Sequence, residues 1–180
     1  FPVREAEMKA RIEYVTLSPE QSLQVGSATI TPYLMNHPVI DFGYRIDCGG
    51  KSIFFTGDHE AWLNIYAPED ESYAEFQRMV DMQQGHLDQA LGGLDVLIAD
   101  SSYTAVEYPA KIGWGHGTLE GNIGWARRLG VRKLVCTHHE PTRSDDALEL
   151  AFAAALQNSN YAPGVPGEPE ILLAREGLEL

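Results

Sequence analysis

Short apolar blocks, some alternating with polar residues and some continuous, succeed one another along most of the chain. Between residues 11 and 35, Leu23 and Val25 and then Ala28 and Ile30 alternate with polar neighbours around Gly26-Ser27, which predicts strands joined by a turn. A second hairpin is predicted where Gly43-Tyr44-Arg45-Ile46 turns through Asp47-Cys48-Gly49-Gly50-Lys51 into Ser52-Ile53-Phe54-Phe55-Thr56. From Ala67 to Leu91 β-branched residues are few, and Phe76, Met79, Val80 and Met82 fall at helical intervals, so this stretch reads as a loop followed by a helix. Leu94-Asp95-Val96-Leu97-Ile98-Ala99 is too short for a helix and resembles a strand covered on both faces. Thr118 can cap a helix with Leu119, Ile123, Ala126 and Leu129 on its apolar face, and Gly130 can close it. Lys133-Leu134-Val135-Cys136-Thr137 reads as another buried strand, and Ser144-Asp145-Asp146 starts a helix that runs through Ala155. After a loop rich in proline and glycine, Ile171-Leu172-Leu173 and Leu178-Glu179-Leu180 predict a closing hairpin. The alternation of strands and helices predicts a layered α/β architecture.

Composition narrows the function classes. The 180 residues match one domain and can bury roughly 70% of their unfolded surface in a single core. Hydrophobic residues at 44% and charged residues at 22% exclude collagen-like, coiled-coil and wholly disordered chains. The net charge of -13 repels phosphate backbones, which argues against a general nucleic-acid or anionic-membrane binder. No apolar run approaches the roughly 18 residues of a membrane span. Cys48 and Cys136 lie in separate strand-like stretches with no cysteine neighbour, so both read as buried free thiols in a reducing, cytoplasmic setting.

The chemistry gathers where apolar runs stop. Phe54-Phe55-Thr56 ends in Gly57-Asp58-His59, Val96-Leu97-Ile98-Ala99 in Asp100-Ser101-Ser102, and Leu134-Val135-Cys136-Thr137 in His138-His139-Glu140. His37 ends the run Tyr33-Leu34-Met35-Asn36 in the same way. Active sites of α/β sheets collect at the carboxyl ends of strands, so these clusters are expected to face one crevice. Imidazole and carboxylate together suit zinc, iron or manganese. A single such histidine or aspartate is ordinarily a turn or surface residue; four of them at strand ends in one small chain point to a site. His59 and His86 read as ordinary polar residues, and His139 as either a ligand or a support for one.

Asn36-His37-Pro38, Tyr44-Arg45-Ile46, Phe55-Thr56-Gly57-Asp58, Gly115-His116-Gly117-Thr118 and Leu134-Val135-Cys136-Thr137-His138-His139-Glu140-Pro141, in that order, resemble the later motifs of the metallo-β-lactamase-fold hydrolases. The closing Ala174-Arg175-Glu176-Gly177-Leu178-Glu179-Leu180 is similar to the end of many members. The resemblance implies an αββα sandwich of which residues 1–180 form a single partial domain, the C-terminal half plus part of the middle. It implies that His37 ligates a first metal, that Asp58 bridges two metals, and that His138 serves the second. His116 resembles the histidine of the phosphodiesterase branch, ribonuclease Z and its relatives, which contacts the scissile phosphate and assists the leaving group. Asp100 stands where that branch carries the acidic residue that orients this histidine, and a carboxylate on one imidazole nitrogen does fix the tautomer.

The family's H-x-H-x-D-H motif does not occur in these residues. The expectation is that it lies upstream of His37, in the half of the sandwich that would precede Phe1. Three ligands for two metals then predict an active hydrolase only together with that N-terminal half, and an isolated chain that self-associates through the face left bare. The expected function is hydrolysis of a small phosphodiester or related ester by a metal-bound hydroxide, with two zinc ions in the complete domain and iron or manganese as substitutes. The partners expected are a small-molecule substrate, the N-terminal half and a second copy of the chain, not a membrane or nucleic acid. A non-catalytic interaction or regulatory module of the same fold is the alternative, and a mononuclear iron oxygenase of that fold a third reading.

Overall fold

The computed structural model describes Arg4 and residues 7–180. Seven strands form one sheet in chain order: β1 (Leu23–Val25), β2 (Ala28–Leu34), β3 (Phe42–Cys48), β4 (Lys51–Phe55), β5 (Val96–Asp100), β6 (Lys133–Thr137) and β7 (Glu170–Leu173). β1 to β4 pair antiparallel as a meander, and β4 to β7 pair parallel. Parallel neighbours need long crossovers, and three helices supply them: α1 (Tyr73–Leu91), α2 (Leu119–Leu129) and α3 (Asp145–Asn158). Because β2 is antiparallel to β3 and β3 to β4, the carboxyl ends of β2, β4, β5 and β6 all point to one edge.

The predicted caps form. Thr118 Oγ1 accepts the Gly121 N–H at 3.0 Å, Gly130 closes α2 at φ 63°, and Ser144 Oγ accepts the Ala147 N–H at 3.4 Å. The helices cover one face of the sheet, where Phe54, Leu97, Ala99, Leu134 and Cys136 pack with Leu91, Leu119, Ile123, Trp125 and Ala126 in a single core.

Among the described residues no helix lies on the opposite face. A row of cross-strand neighbours, Pro32, Tyr44, Phe55, Ile98, Val135 and Leu172, crosses it from β2 to β7, and Ile30, Ile46, Ile53 and Val96 form a second row. Tyr44 and Phe55 are 41% and 44% exposed, although residues of that type belong inside.

Three expectations need correction. Residues 11–22 form no strand, and pairing begins at Leu23. Residues 178–180 form no strand, because the chain turns with the Leu178 N–H on the Arg175 carbonyl, so β7 stays an edge with no hairpin partner. The loop and helix read over Ala67 to Leu91 form as α1, whose buried residues are Val80, Leu87 and Leu91 while Met79 and Met82 are exposed. Cys48 is exposed at the end of β3; only Cys136 is buried, and burial pushes its thiol up to about 12.

Candidate metal centre

The turn leaving β4 sets the first carboxylate. Gly57 takes φ +62°, and a Cβ there would lie 2.5 Å from Asp41 Oδ2, so only glycine lets that carboxylate accept the Asp58 N–H at 2.7 Å. Asp58 then stands between two imidazoles. His37 Nε2, from the end of β2, lies 3.8 Å from Oδ2, and His138 Nδ1, from the end of β6, lies 3.3 Å from Oδ1. His138 itself adopts φ 55°, a conformation that costs about 1 kcal/mol or more for a residue with a Cβ.

Asp100 is fully buried at the end of β5 and is saturated with donors. Oδ2 accepts His116 Nδ1 at 2.7 Å and the His59 N–H at 3.1 Å, and Oδ1 accepts the Ser102 N–H at 3.2 Å. The Ser102 hydroxyl lies 2.8 Å from Oδ1 and 2.6 Å from the His138 carbonyl, so its one proton serves one of them at a time. With its lone pairs taken, Asp100 is an orienting carboxylate rather than a free metal donor, and its bond to His116 leaves Nε2 as the working nitrogen. The His116 ring stacks on that of His138, centroids 4.8 Å apart, and lies 5.7 Å from that of His37.

Donor atoms of Asp58, Asp100, His116 and His138 fall within 4.8 Å of one another, and His37 joins through Asp58. Partly exposed imidazoles on both sides of a partly exposed carboxylate are the donor set of zinc, iron or manganese, so these residues fit such an ion.

His139 does not join them: its Nε2 meets the Ala174 carbonyl at 3.3 Å, and burial lowers its pKa. His86 pairs with Glu20 at the surface. His59, which reads as an ordinary polar residue, is instead buried; burial pushes its imidazole down to about 4, and Nδ1 accepts the Asn36 N–H at 3.3 Å, tying the turn after β4 to the segment that carries His37.

Glu60 is a second missed residue. Its buried carboxylate accepts the Tyr108 hydroxyl at 2.6 Å and the N–H groups of Gly113 and Gly115 at 2.8 Å each. This clamp holds the loop that delivers His116, and it presses Gly115 so close to the His37 ring that a Cβ at Gly115 would overlap it. The signal for both is their adjacency to Asp58, which by itself does not distinguish a buried anchor from a turn residue.

The β-lactamase superfamily domain matches residues 1–139. The chain belongs to that family. Uncharacterized protein Rv1339 of Mycobacterium tuberculosis is 28% identical over 136 residues, covering 74% of this chain and 41% of the relative, and Uncharacterized protein Mb1374 of Mycobacterium bovis matches equally. The metallo-β-lactamase fold protein YhfI of Bacillus subtilis superposes with a TM-score of 0.63 at 20% identity, over 91% of this chain and 54% of that one. Human tRNase Z, short form, superposes with a TM-score of 0.52 at 15% identity, over 88% of this chain and 46% of that one. The metallo-β-lactamase fold is therefore shared, and the chain spans about two fifths of the length of the curated relatives it matches.

Proposed function

We propose that the chain carries part of the centre of a metal-dependent hydrolase that cleaves a small phosphodiester or a related ester. The observation that carries this reading is the Asp58 carboxylate flanked by His37 and His138, with the Asp100–His116 pair stacked against it. His37, Asp58 and His138 would hold the metal, with Asp58 shared between two ions, zinc by preference. Such ions lower the pKa of water to about 7 and draw charge from phosphoryl or carbonyl oxygens. Asp100 keeps the proton of His116 on Nδ1, so that Nε2, when protonated, can donate to the departing oxygen as general acid. The net charge of -13 favours a small substrate over a polynucleotide such as tRNA.

The bare sheet face supports the half-domain reading. Apolar rows from β2 to β7 are what one layer of a two-sheet sandwich presents to the other. We therefore propose that a segment bearing H-x-H-x-D-H packs there and completes the metal ligands. Free thiols at Cys48 and Cys136 support a reducing, cytoplasmic setting.

The test measures metal stoichiometry, together with hydrolysis of bis(p-nitrophenyl) phosphate, for residues 1–180 and for a longer chain that includes such a segment. Weak metal binding and little turnover by the short chain, with both restored in the longer one and lost in Asp58→Asn, are expected. Two tightly held metals and full turnover in the short chain would end the half-domain reading. Turnover by neither chain would leave the non-catalytic module.

A further inference from the structure

Beside His37 the surface opens into a cavity of about 330 Å³ that the hydrolytic reading does not use. Its wall is formed by Trp62, Leu63 and Ile65 from the segment after β4, Phe76 and Met79 from the first half of α1, and Ile112 from the loop that Glu60 clamps. Ile65, Met79 and Ile112 are each more than half exposed. Such large aliphatic side chains gathered around one concavity differ from the scattered apolar residues of an ordinary surface. Met79, on the N-terminal half of α1, lines this cavity.

Three features limit what can sit there. The cavity adjoins the candidate centre through His37, which lines it together with Asn36 and Pro38. Its volume lies at the lower end of the roughly 300–1,000 Å³ of small-molecule sites, which suits one ring-sized group rather than a peptide or polymer. Glu60, its one acidic group, already has both oxygens engaged by Tyr108, Gly113 and Gly115, so no side-chain oxygen is left to bind an ionic substituent directly.

We infer that this cavity is the subsite for an uncharged aryl or heteroaryl substituent of the ester substrate, seated beside His37 while the phosphoryl group meets the Asp58 centre. The inference rests on the hydrolytic reading for the phosphoryl half of the substrate only. The ring is recognised by Trp62, Phe76 and the aliphatic rim, and the rigid loop around Gly113 sets the distance between ring and centre.

The test compares equilibrium binding of phenylphosphonate and methylphosphonate, read by tryptophan fluorescence with Trp62→Phe identifying the local signal, with and without added zinc. Burial of a ring in such a wall predicts phenylphosphonate binding roughly tenfold tighter than methylphosphonate. Met79→Glu and Ile112→Glu, both at exposed positions, should bring that ratio close to one while circular dichroism stays native. Leu150→Glu, exposed on α3 away from the cavity, should leave it unchanged. Equal affinities in the unmodified chain, or a ratio insensitive to both cavity variants, would overturn the subsite. Asp58→Asn in the longer chain that carries an H-x-H-x-D-H segment separates the two readings: loss of metal and turnover with the aryl preference retained supports the cavity as a distinct site. Absence of turnover in every chain would defeat the hydrolytic reading, and the phosphonate ratio would still decide the cavity.

Discussion

Adjacent residues of β4 meet opposite fates. Phe54 points into the helix layer and is fully buried among core side chains, whereas Phe55, one residue later on the other face, is 44% exposed. Across the sheet the division is uneven: Leu97, Ala99, Leu134 and Cys136 are sealed under helices, while on the other face Tyr44 and Phe55 are exposed at the β3–β4 end and Val135 is buried toward β6. Both faces are apolar, so hydrophobicity alone does not decide burial; a covering layer does. The helices are connected to the sheet by the crossovers themselves and must lie on it, while nothing among the described residues packs as a layer on the other side. The Asp58 centre sits at the sheet edge where both faces end, with access to each.

The largest effect expected from this asymmetry is on stability. Phe54→Ala should cost about 3–5 kcal/mol in chemical denaturation, by lost burial and the cavity left behind. Phe55→Ala should cost less than about 1 kcal/mol. Equal costs would mean that the two faces are equally covered. Next comes the edge itself: in the longer chain that carries an H-x-H-x-D-H segment, Asp58→Asn should weaken zinc binding by about 100-fold or more, because losing a shared ligand exceeds the roughly 10–100-fold cost of losing a residue that only orients one. Calorimetric titration of the native and variant chains measures this, and an unchanged affinity would move the metal elsewhere.

A smaller effect concerns association. The bare face should make the 180-residue chain self-associate, and Tyr44→Asp with Phe55→Asp should weaken that association by about tenfold or more in sedimentation experiments. A chain that stays monomeric at high concentration would show that this face tolerates water.

The smallest effect lies on the covered side. Asp88 on α1 accepts Trp125 Nε1 and Arg128 Nε at 2.7 Å each. Burial opposes its ionised form, but the hydrogen bonds from Arg128, Trp125 and Gln84 outweigh that and hold its carboxyl below the usual range. Its stabilising contribution is therefore present above the unfolded value near 3.9 and fades as pH falls through the lower folded value. Asp88→Asn should remove that part of the acid sensitivity in melts between about pH 5 and 2, while leaving the neutral-pH fold intact.

Much of the element order was legible from pattern. Short continuous apolar runs, Val96-Leu97-Ile98-Ala99 and Leu134-Val135-Cys136, marked β5 and β6 because strands buried under crossover helices need no polar alternation. Thr118, Gly130 and Ser144 marked helix ends because orphan backbone groups there demand those side chains. The polar residues that halt β2, β4, β5 and β6 marked the candidate centre, since chain direction brings parallel strand ends to one edge. Residues 178–180 misled because alternating leucines satisfy a strand pattern without having a neighbour to pair with. Only the tertiary structure separated His59 and Glu60 from surface residues, because their roles depend on partners tens of residues away in the chain, at Asp100, Tyr108, Gly113 and Gly115. It also decided that Met79 lines a cavity and Phe55 stands bare, because a hydrophobic pattern specifies what a side chain avoids but not which element arrives to cover it.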